Sequence, residues 1–584
     1  MIAFTPCVSP QLSYVDATEQ PMRNVIGRSV PVSVLAAISL AAGTATASPP
    51  VIQQSGPEQG KVRAVRAHAG ASGRHWVYFT DKALATAEDR ERALLAARAA
   101  LDPHAAARRA LRRERPGLVD ESDVPVSDAY VRALEAVGAR AHIRSRWLNA
   151  VSVRATPAQL SRIARLAIVD RIEPVLGGRG LEERPGDRIE VGEADDFYGA
   201  ASQQLNQINL PALHGQGFTG AGVRVGVLDT GFKRTHAAFN QPGRVLQVVA
   251  EHDFVKNDGN TGPQAGDHPD QHVHGTLILG VLGAYKPNDL VGGAYDASFI
   301  LCKTEDIESE TPVEEDNYVG GLEFIEQHGG DVATASLVYI DWYTYSQLNG
   351  TTATTTIAVN MATANGMYCL NAAGNAGHDS DPMVGHLGGA PADAFKVLTV
   401  GAAEADGSTA GFSSDGPTAD GRLKPEIMAR GAGTSTVDPG DDGAYVGASG
   451  TSLSTPVAAC AVACLAQARP WWTVDQLRAR LFAKASEQVA NGQPDPLVIR
   501  GYGIIDAGAT LASDCYANCD GSTAAPVLNV NDFTCFLNRF ASAGSLGVAA
   551  QVADYANCDR STTPPVLNVN DFVCFLNRFG AGCP

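Results

Sequence analysis

The sequence has few positive charges in its carboxyl-terminal two thirds. Residues 191–584 contain 19 lysines and arginines against 43 aspartates and glutamates, a net charge of −24, whereas residues 1–190 contain 26 against 20. So large an excess of carboxylates repels phosphate groups, which excludes nucleic acid and anionic membranes as expected partners of this part. The basic amino-terminal part is complementary in charge, and this favours docking of the two parts on one another.

Apolar runs near the amino terminus are short. The stretch over residues 30–42 is interrupted by proline and serine, which argues against a membrane anchor. It follows a basic segment that begins at Met22 and precedes the small residues 45–47, the pattern of a secretory signal peptide. We therefore expect a signal peptide over residues 22–47, with residues 1–21 not translated, and a secreted or cell-surface protein.

Four short motifs carry the side chains that acyl transfer needs. An apolar strand pattern ends at Asp229, and His274 precedes Gly-Thr and an apolar run. Asn375 follows a second strand pattern, and Ser452 lies in Gly-Thr-Ser-Leu-Ser-Thr-Pro. A serine hydroxyl needs a histidine base, the histidine needs a carboxylate to fix its tautomer, and an asparagine amide can donate to an oxyanion.

The motif around Ser452 predicts the start of a helix. Gly450 allows a sharp turn, and a helix N-terminus favours developing negative charge near Ser452. Pro456 is expected in the first helical turn, where its missing N–H costs nothing. Alone, Ser452 would be an ordinary helix cap; the other three motifs favour a nucleophile.

In order and residue content these motifs resemble the signatures of the subtilisin-like serine proteases, peptidase family S8. The resemblance implies that Asp229 orients His274 and that His274 is the general base and acid. It also implies that Ser452 is the nucleophile and that Asn375 donates to the oxyanion. His272 is an alternative base, but only His274 is followed by Gly-Thr.

The same resemblance implies a surface for protein or peptide substrates. Ser336, Leu337 and Val338 correspond to the strand that pairs with the substrate backbone, and Gly374 belongs to the same surface. Val338 stands where the family usually has glycine, so a narrower pocket for the first substrate side chain is expected. No cofactor is implied for the chemistry.

The alternation of strand and helix patterns over residues 201–513 predicts a mostly parallel α/β sheet with helices on both faces. Functional residues are then expected at the carboxyl ends of strands. Residues 59–175 predict a small α+β unit that, by position, resembles the inhibitory propeptides of the family. Residues 176–200 are predicted to be a linker containing the processing site. We expect the propeptide to inhibit its own peptidase and the protein to be a monomer.

Residues 514–584 contain an internal repeat with an offset of 39 residues. Oxygen-bearing side chains at alternating positions before a helix suit Ca²⁺. The repeat resembles the duplicated calcium loop–helix units of dockerins, which implies a cohesin-like or cell-surface partner. The alternative is a disulfide-stapled repeat without metal. The candidate ligands are Asn518, Asp520, Ser522, Asn529 and Asp532 in the first copy, and Asn557, Asp559, Ser561, Asn568 and Asp571 in the second.

Six of the 11 cysteines lie in this small helical repeat, a density typical of an oxidising, extracellular compartment. Six cysteines allow 15 pairings. The repeat favours two of them, Cys519 with Cys535 and Cys558 with Cys574, which leaves Cys515 with Cys583 to close the ends. Four other cysteines are predicted to be small buried fillers: Cys302, Cys369, Cys460 and Cys464.

These patterns together predict a secreted serine endopeptidase made as a preproprotein. The alternative is a catalytically silent relative that acts through its carboxyl-terminal repeat, which the intact set of four motifs disfavours. A serine esterase is also disfavoured, because Ser452 lacks the Gly-x-Ser-x-Gly flanks of the esterase elbow.

Overall fold

The computed structural model describes most of the chain from residue 74 onward. The predicted signal peptide and most of the predicted linker lie outside the described residues. All the elements below belong to the compact unit formed by residues 56–584. The described residues are 74–175, 188–189, 196–307, 314–340, 343–520, 526–545 and 547–583.

The first part is a small α+β unit, as predicted. Its four strands form one antiparallel sheet in the order β2-β3-β1-β4. A core around Val77, Leu134 and Ile163 lies between this sheet and two of the helices. The elements are β1 (Arg74–Phe79), α1 (Ala87–Ala99), α2 (Pro103–Arg112), α3 (Asp128–Ala136), β2 (Arg140–Ser145), β3 (Ala150–Arg154), α4 (Pro157–Ile163) and β4 (Val169–Pro174).

The second part is built on a seven-stranded sheet. Every strand pair in it is parallel, and the spatial order is β16-β15-β14-β13-β6-β12-β9, which confirms the predicted mostly parallel sheet. Six of its strands are almost wholly buried, as expected when helices cover both faces. The strands are β6 (Arg224–Asp229), β9 (Val248–Asp253), β12 (Ser298–Lys303), β13 (Val332–Ala335), β14 (Tyr368–Ala372), β15 (Leu398–Ala403) and β16 (Ile427–Arg430).

Helices pack on each face of this sheet. On one face α7 (Val273–Gly283) and α10 (Thr451–Ala468) share a core with Val225 and Val227 of β6. The longest described helix, α10, is apolar enough to span a membrane, but 94% of it is buried inside the fold. Its apolar composition therefore reflects its place in the core.

On the other face α8 (Glu314–Gln327) and α9 (Thr354–Ala364) pack against the sheet. Gly226 permits close approach here, because a Cβ at this position would lie 2.5 Å from Cδ1 of Ile325 in α8. The same core continues into the α+β unit through Trp76 and Trp147. The amino-terminal unit therefore covers α8 and α9.

Short elements complete the sheet's surroundings. Strand β5 pairs with β18, which is itself paired with β17. These elements are β5 (Arg188–Ile189), α5 (Ser202–Gln207), α6 (Pro211–His214), β7 (Asn240–Gln241), β8 (Arg244–Val245), β10 (Tyr285–Lys286), β11 (Leu290–Val291), β17 (Thr434–Val437), β18 (Tyr445–Ala448), α11 (Val474–Lys484), α12 (Ser486–Asn491) and α13 (Ala507–Ala512).

The described residues of the carboxyl-terminal repeat form three helices, α14 (Val530–Ala543), α15 (Val548–Ala553) and α16 (Val569–Ala581). Tyr516 and Tyr555, equivalent in the two copies, stack with ring centroids 4.6 Å apart, and each hydroxyl donates to the other's backbone carbonyl. The three disulfides pair as predicted, and the four predicted fillers are free and buried.

Candidate active site

The carboxylate of Asp229 and the imidazole of His274 form a direct hydrogen bond. Asp229 is the last residue of β6 and is fully buried. Its Oδ1 lies 2.7 Å from Nδ1 of His274 and also accepts from the backbone N–H of Thr230 at 2.7 Å. A carboxylate at Nδ1 holds the proton there, so Nε2 is the nitrogen that can take a proton.

The close approach of His274 to Asp229 requires a glycine at position 275. A Cβ at Gly275 would lie 2.2 Å from the carbonyl oxygen of Gly231 and 3.1 Å from Oδ1 of Asp229. Any side chain at this position would therefore push the start of α7 away from the end of β6. The glycine of the Gly-Thr that distinguished His274 in the sequence is therefore required for steric reasons.

His272, the alternative base, has a different carboxylate partner. Its Nε2 lies 3.4 Å from Oδ2 of Asp267, and burial together with the positive charge of Lys303 lowers the pKa of the ring. His272 is therefore part of a separate buried charge cluster. Of the two histidines, only His274 is bonded to Asp229 among the described contacts.

The side chain of Asn375 is held by the residue before Ser452. Its Oδ1 accepts from the backbone N–H and the hydroxyl of Thr451, both at 2.9 Å. The hydroxyl of Thr451 in turn accepts from the N–H of Gly374 at 3.1 Å. These bonds identify Nδ2 as the Asn375 group that can donate to an oxyanion. The orienting role of Thr451 was missed in the sequence, because hydroxyls are common in such motifs.

Ser452 is the second residue of α10, as expected for a hydroxyl at a helix N-terminus. Its Oγ donates to the carbonyl of Ser336 at 3.3 Å, and the Ser336 hydroxyl donates to the Ser452 carbonyl at 2.8 Å. The expectation for Pro456 is wrong, since α10 begins at Thr451 and the proline lies in the second turn. Gly450 is the N-cap, and the N–H of Thr451 at the first helical position is bonded by Asn375 Oδ1, so Thr451 and Ser452 are already part of the helix.

Three neighbouring strands of the sheet deliver these groups to one edge. Asp229 ends β6, Ser336 follows β13, and Asn375 lies just beyond β14, and these strands are adjacent in the order β14-β13-β6. Because the strands are parallel, their carboxyl ends lie at the same edge of the sheet. The structure therefore brings the sequence-predicted residues of these strands together.

The predicted substrate strand continues from Ser336. Leu337 and Val338 are both buried, and the Leu337 carbonyl accepts from Nδ2 of Asn371 at 2.9 Å. Gly374 packs closely against the neighbouring loop, since a Cβ there would lie 2.4 Å from Cα of Gly388. These positions are therefore buried in the structure, in the segments that follow β13 and β14.

The amino-terminal unit binds helix α8 of the second part through buried carboxylates. Asp316 of α8 accepts from Nη1 of Arg74 at 3.2 Å and from the hydroxyl of Ser152 at 2.6 Å. Glu323 accepts from the hydroxyl of Ser145 at 2.5 Å, and burial raises the pKa of this carboxyl. These contacts lie on the face of the sheet that α8 and α9 cover.

A second contact lies at the opposite, amino-terminal edge of the sheet. The guanidinium groups of Arg108 and Arg109 in α2 are fully buried against Glu326, at 2.5 and 2.7 Å. Arg112 bonds Asp331, which precedes β13, and lies over the ring of Tyr368. The sequence showed the complementary charges of the two parts but not this anchor, because the pairing partners are distant in the chain.

Asp331 is held in its charged form at this anchor. Burial acts to raise the pKa of Asp331, but the hydrogen bond from His104 and the charges of Arg112 and Arg108 outweigh it. The pKa of Asp331 is therefore well below its usual range.

In the repeat, four of the predicted calcium ligands cap helices. Asn529 and Asn568 accept from the second N–H of α14 and α16. Asp532 and Asp571 are fully buried, and each accepts two backbone N–H groups. Each carboxylate oxygen keeps a lone pair after these bonds, so capping leaves room for a cation.

The second loop has further cation-binding features. Oδ1 of Asn557 is buried and has no hydrogen-bond partner. Burial raises the pKa of Asp571, and the negative charge of Asp559 raises it further. An orphaned carbonyl oxygen and two mutually repelling carboxylates fit a hard cation. Ser522 of the first loop lies outside the described residues.

A separate group of metal-ligating side chains follows Asn375. The ligand atoms of Asp379, His386 and Asp415 lie within 4.8 Å of one another. Asp415 is fully buried and accepts from the backbone N–H groups of Asp379 at 3.2 Å and His386 at 2.9 Å. These bonds explain the cluster as the support of a loop.

A buried carboxylate–histidine pair, a helix-terminal serine and a fixed amide are the groups that enzymes of the serine-hydrolase class use, and here they occur on a parallel α/β fold. The subtilase family model matches residues 220–503, and a peptidase S8 propeptide domain described for Bacteroidota matches residues 74–184. Subtilisin E from Bacillus subtilis (strain 168) is 30% identical over 295 residues, which cover 50% of this chain and 68% of that protein.

A subtilisin from Bacillus pumilus is 31% identical over 283 residues, which cover 48% of this chain and 90% of that protein. Among solved structures the chain is similar to fervidolysin from Fervidobacterium pennivorans, described as a keratinolytic enzyme related to subtilisin. That match has a TM-score of 0.48 and 22% identity, over 67% of this chain and 60% of that one. The chain belongs to the subtilase family of serine peptidases.

Replacing Gly275 by alanine should disrupt the site without removing any polar group. The added Cβ would overlap the Gly231 carbonyl and separate His274 from Asp229. We expect kcat for peptide hydrolysis to fall at least about 100-fold. The matched control is Gly259→Ala, where a Cβ meets nothing within 4 Å. Equal activity of the two variants would contradict the steric argument.

Proposed function

We propose that this chain is a secreted serine endopeptidase that hydrolyses peptide bonds in protein substrates. The observation that carries the proposal is the bonded pair of Asp229 and His274 beside an Asn375 whose Oδ1 is fixed by Thr451. This arrangement supplies a base of defined tautomer and an oriented amide donor. Family membership supplies the reaction class, and these residues supply the proposed roles.

In the proposed first step, the Ser452 hydroxyl attacks the scissile carbonyl. The hydroxyl must turn from the Ser336 carbonyl towards Nε2 of His274, which takes the proton. Asp229 stabilises the imidazolium that forms, because its Oδ1 bonds Nδ1. His274 then returns the proton to the leaving amine, and a water molecule repeats the sequence to release the acyl group.

The tetrahedral oxyanion is proposed to be held by two donors. One is Nδ2 of Asn375, and the other is the backbone N–H of Ser452, which lies in the first turn of α10 where N–H groups have no helical acceptor. The dipole of this 18-residue helix adds positive potential at the same place. Both donors are positioned before the reaction, so little reorganisation is needed.

A catalytically silent binding protein remains the alternative function. A silent relative has no need of the steric and hydrogen-bonding arrangement around His274. The retention of Gly275 and the Thr451–Asn375 bonds therefore favours the enzyme.

Export is proposed from the amino-terminal pattern and the disulfides. Three disulfides within residues 515–583 are typical of proteins from oxidising compartments. We propose a secreted or surface-associated protein, and a cohesin-like or cell-surface partner for the repeat. Exposed apolar side chains at equivalent positions of the two copies support a protein partner, with Val530 74% and Val569 72% exposed.

The proposed catalysis is tested by casein hydrolysis after removal of the propeptide. Ser452→Ala should abolish cleavage. Asn375→Asp keeps an acceptor for Thr451 but removes the donor, and we expect kcat to fall by the 10²- to 10³-fold range known for loss of this donor in a subtilisin. Undiminished activity of Asn375→Asp would remove the oxyanion assignment. An inactive wild type would favour the binding protein.

The propeptide should remain bound after processing, even in mild acid. The depressed pKa of Asp331 means that its contribution to binding is present above the ordinary aspartate pKa of about 3.9 and is lost only well below it. The raised pKa of Glu323 also favours the complex as pH falls. Burial lowers the pKa of His142 at the same interface, which opposes binding as pH falls through the ordinary histidine range. Because neither buried carboxylate is lost there, size-exclusion chromatography of processed protein should still show co-elution at pH 5.

Arg109→Ala tests the anchor in the same assay. Removing one partner of a buried pair costs about 3–5 kcal/mol, or roughly two to four orders of magnitude in affinity. The control is Arg132→Ala, which removes an exposed arginine of the same unit. If the cleaved propeptide dissociates equally in both variants, the anchor does not hold it.

Calcium binding by the second repeat is proposed from Asn557, Asp559 and Asp571. Terbium luminescence or calorimetry on the whole protein should detect binding, and Ca²⁺ should raise the unfolding temperature of the repeat. Asp559→Asn should weaken binding at least about tenfold, because it removes one charge from the loop. No change in unfolding temperature on chelation would favour a repeat stapled by disulfides alone.

A further inference from the structure

We propose that Ser336 is a positioning residue for the nucleophile, supplying the hydrogen bond that Pro456 cannot. The inference rests on the proposed role of Ser452. It assigns Ser336 a function in kcat, in addition to the substrate-strand role expected from the sequence.

Pro456 leaves one helical carbonyl without its usual donor. In an α-helix the carbonyl of residue i accepts from the N–H of residue i+4, so Ser452 should be served by residue 456. Proline has no N–H. Ser452 is fully buried, and a buried carbonyl without a donor costs about 1–3 kcal/mol.

The hydroxyl of Ser336 takes the place of the missing N–H. It donates to the Ser452 carbonyl at 2.8 Å, while the Ser336 carbonyl accepts from the Ser452 hydroxyl at 3.3 Å. Ser336 is itself fully buried. The two residues are therefore joined at two points, one on the backbone and one on the side chain of Ser452.

This link fastens the nucleophile to the sheet that carries its partners. Ser336 follows β13 directly, and β13 pairs on one side with β6, which ends at Asp229, and on the other with β14, which leads to Asn375. The first turn of α10 is therefore positioned by the same strands that position the base and the oxyanion donor. A regular residue at 456 would satisfy the Ser452 carbonyl within the helix instead.

Loss of the link should affect the transition state more than substrate binding. Without it, the first turn of α10 can shift, and a displacement of about 1 Å in a catalytic group costs on the order of 100-fold in rate. A residue that acted only by pairing with substrate would change KM instead. Comparing the change in kcat with the change in KM therefore separates a positioning role from a substrate-contact role.

The test compares Ser336→Ala, the double variant Ser336→Ala/Pro456→Ala, and Ser454→Ala in peptide hydrolysis after propeptide removal. Ser336→Ala should lower kcat about 10- to 100-fold with KM changed by less than about twofold. Alanine at 456 restores an N–H for the Ser452 carbonyl. The kcat of the double variant should therefore be at least about tenfold higher than that of Ser336→Ala. Ser454→Ala is the control, since its buried hydroxyl donates to the Thr451 carbonyl at 3.0 Å.

An unchanged kcat in Ser336→Ala, a loss confined to KM, or no recovery in the double variant would overturn the inference. If Ser336→Ala fails to fold, the double variant remains decisive, because the restored N–H should recover folded, active protein. Wild type and Ser452→Ala are measured alongside. An inactive wild type would overturn the proposed function, whereas an active wild type with an unaffected Ser336→Ala would overturn this inference alone.

Discussion

The hydrogen bond between Asp229 and His274 sets a close spatial constraint on the fold around the site. It requires the amino end of α7 to lie against the carboxyl end of β6, at a distance that excludes any side chain at Gly275. The carboxylate must also be shielded from water, which the surrounding strands and helices achieve by burying Asp229 completely. Because a buried charge is costly without donors, the N–H and hydroxyl of Thr230 bond the same oxygen.

The sheet holds the groups around this pair in fixed positions relative to one another. β6, β13 and β14 are adjacent and parallel, so the groups that follow them stay in fixed register. The helix α10 packs through a largely apolar, alanine-rich interface. At its first turn Thr451 donates to Asn375 and Ser336 donates to Ser452, and these polar bonds join the helix to the segments that follow β14 and β13.

The amino-terminal unit contacts the peptidase domain at two places, and both include buried arginine–carboxylate pairs. Along α8 the contacts are the carboxylates of Asp316, which accepts from Arg74 and Ser152, and of Glu323, which accepts from Ser145, together with an apolar core. At the opposite edge they are buried arginine–carboxylate pairs. Buried ion pairs are weak contributors to net stability but are strongly destabilising when one partner is lost. They therefore favour an all-or-none association of the matched segments.

Much of the fold and the site could be predicted from the sequence, because the informative patterns are local. The sequence alone shows the apolar strands that end in Asp229 or lead to Asn375. It also shows the repeat of cysteines at an offset of 39. The disulfide pairing follows from that repeat. Pro456 was misplaced because the helix starts at Thr451, a boundary set by tertiary bonds to Asn375 rather than by residue preference.

The arginine anchor could not be predicted for a related reason. Arginines in α2 look like a solvated basic helix, and nothing near them in the sequence indicates burial. Their partners, Glu326 and Asp331, lie more than 200 residues away and adjoin the loop between α8 and β13. Long-range ion pairing of this kind has no periodicity, whereas apolar burial does.

The nucleophile helix also links the site to the carboxyl-terminal repeat. Helix α10 has 18 residues, so its ends are separated by roughly 27 Å. Beyond it, Trp471 packs edge-on against the stacked Tyr516 and Tyr555, and Arg469 pairs with Asp514 at 2.5 Å.

These contacts make the repeat part of the peptidase surface instead of a tethered domain. Arg560 over the ring of Phe218 adds a further contact between the two. A partner held by the repeat would then sit at a fixed distance and direction from Ser452. The geometry of any complex would select which segments of a bound or neighbouring protein reach Ser452, because the helix sets that distance.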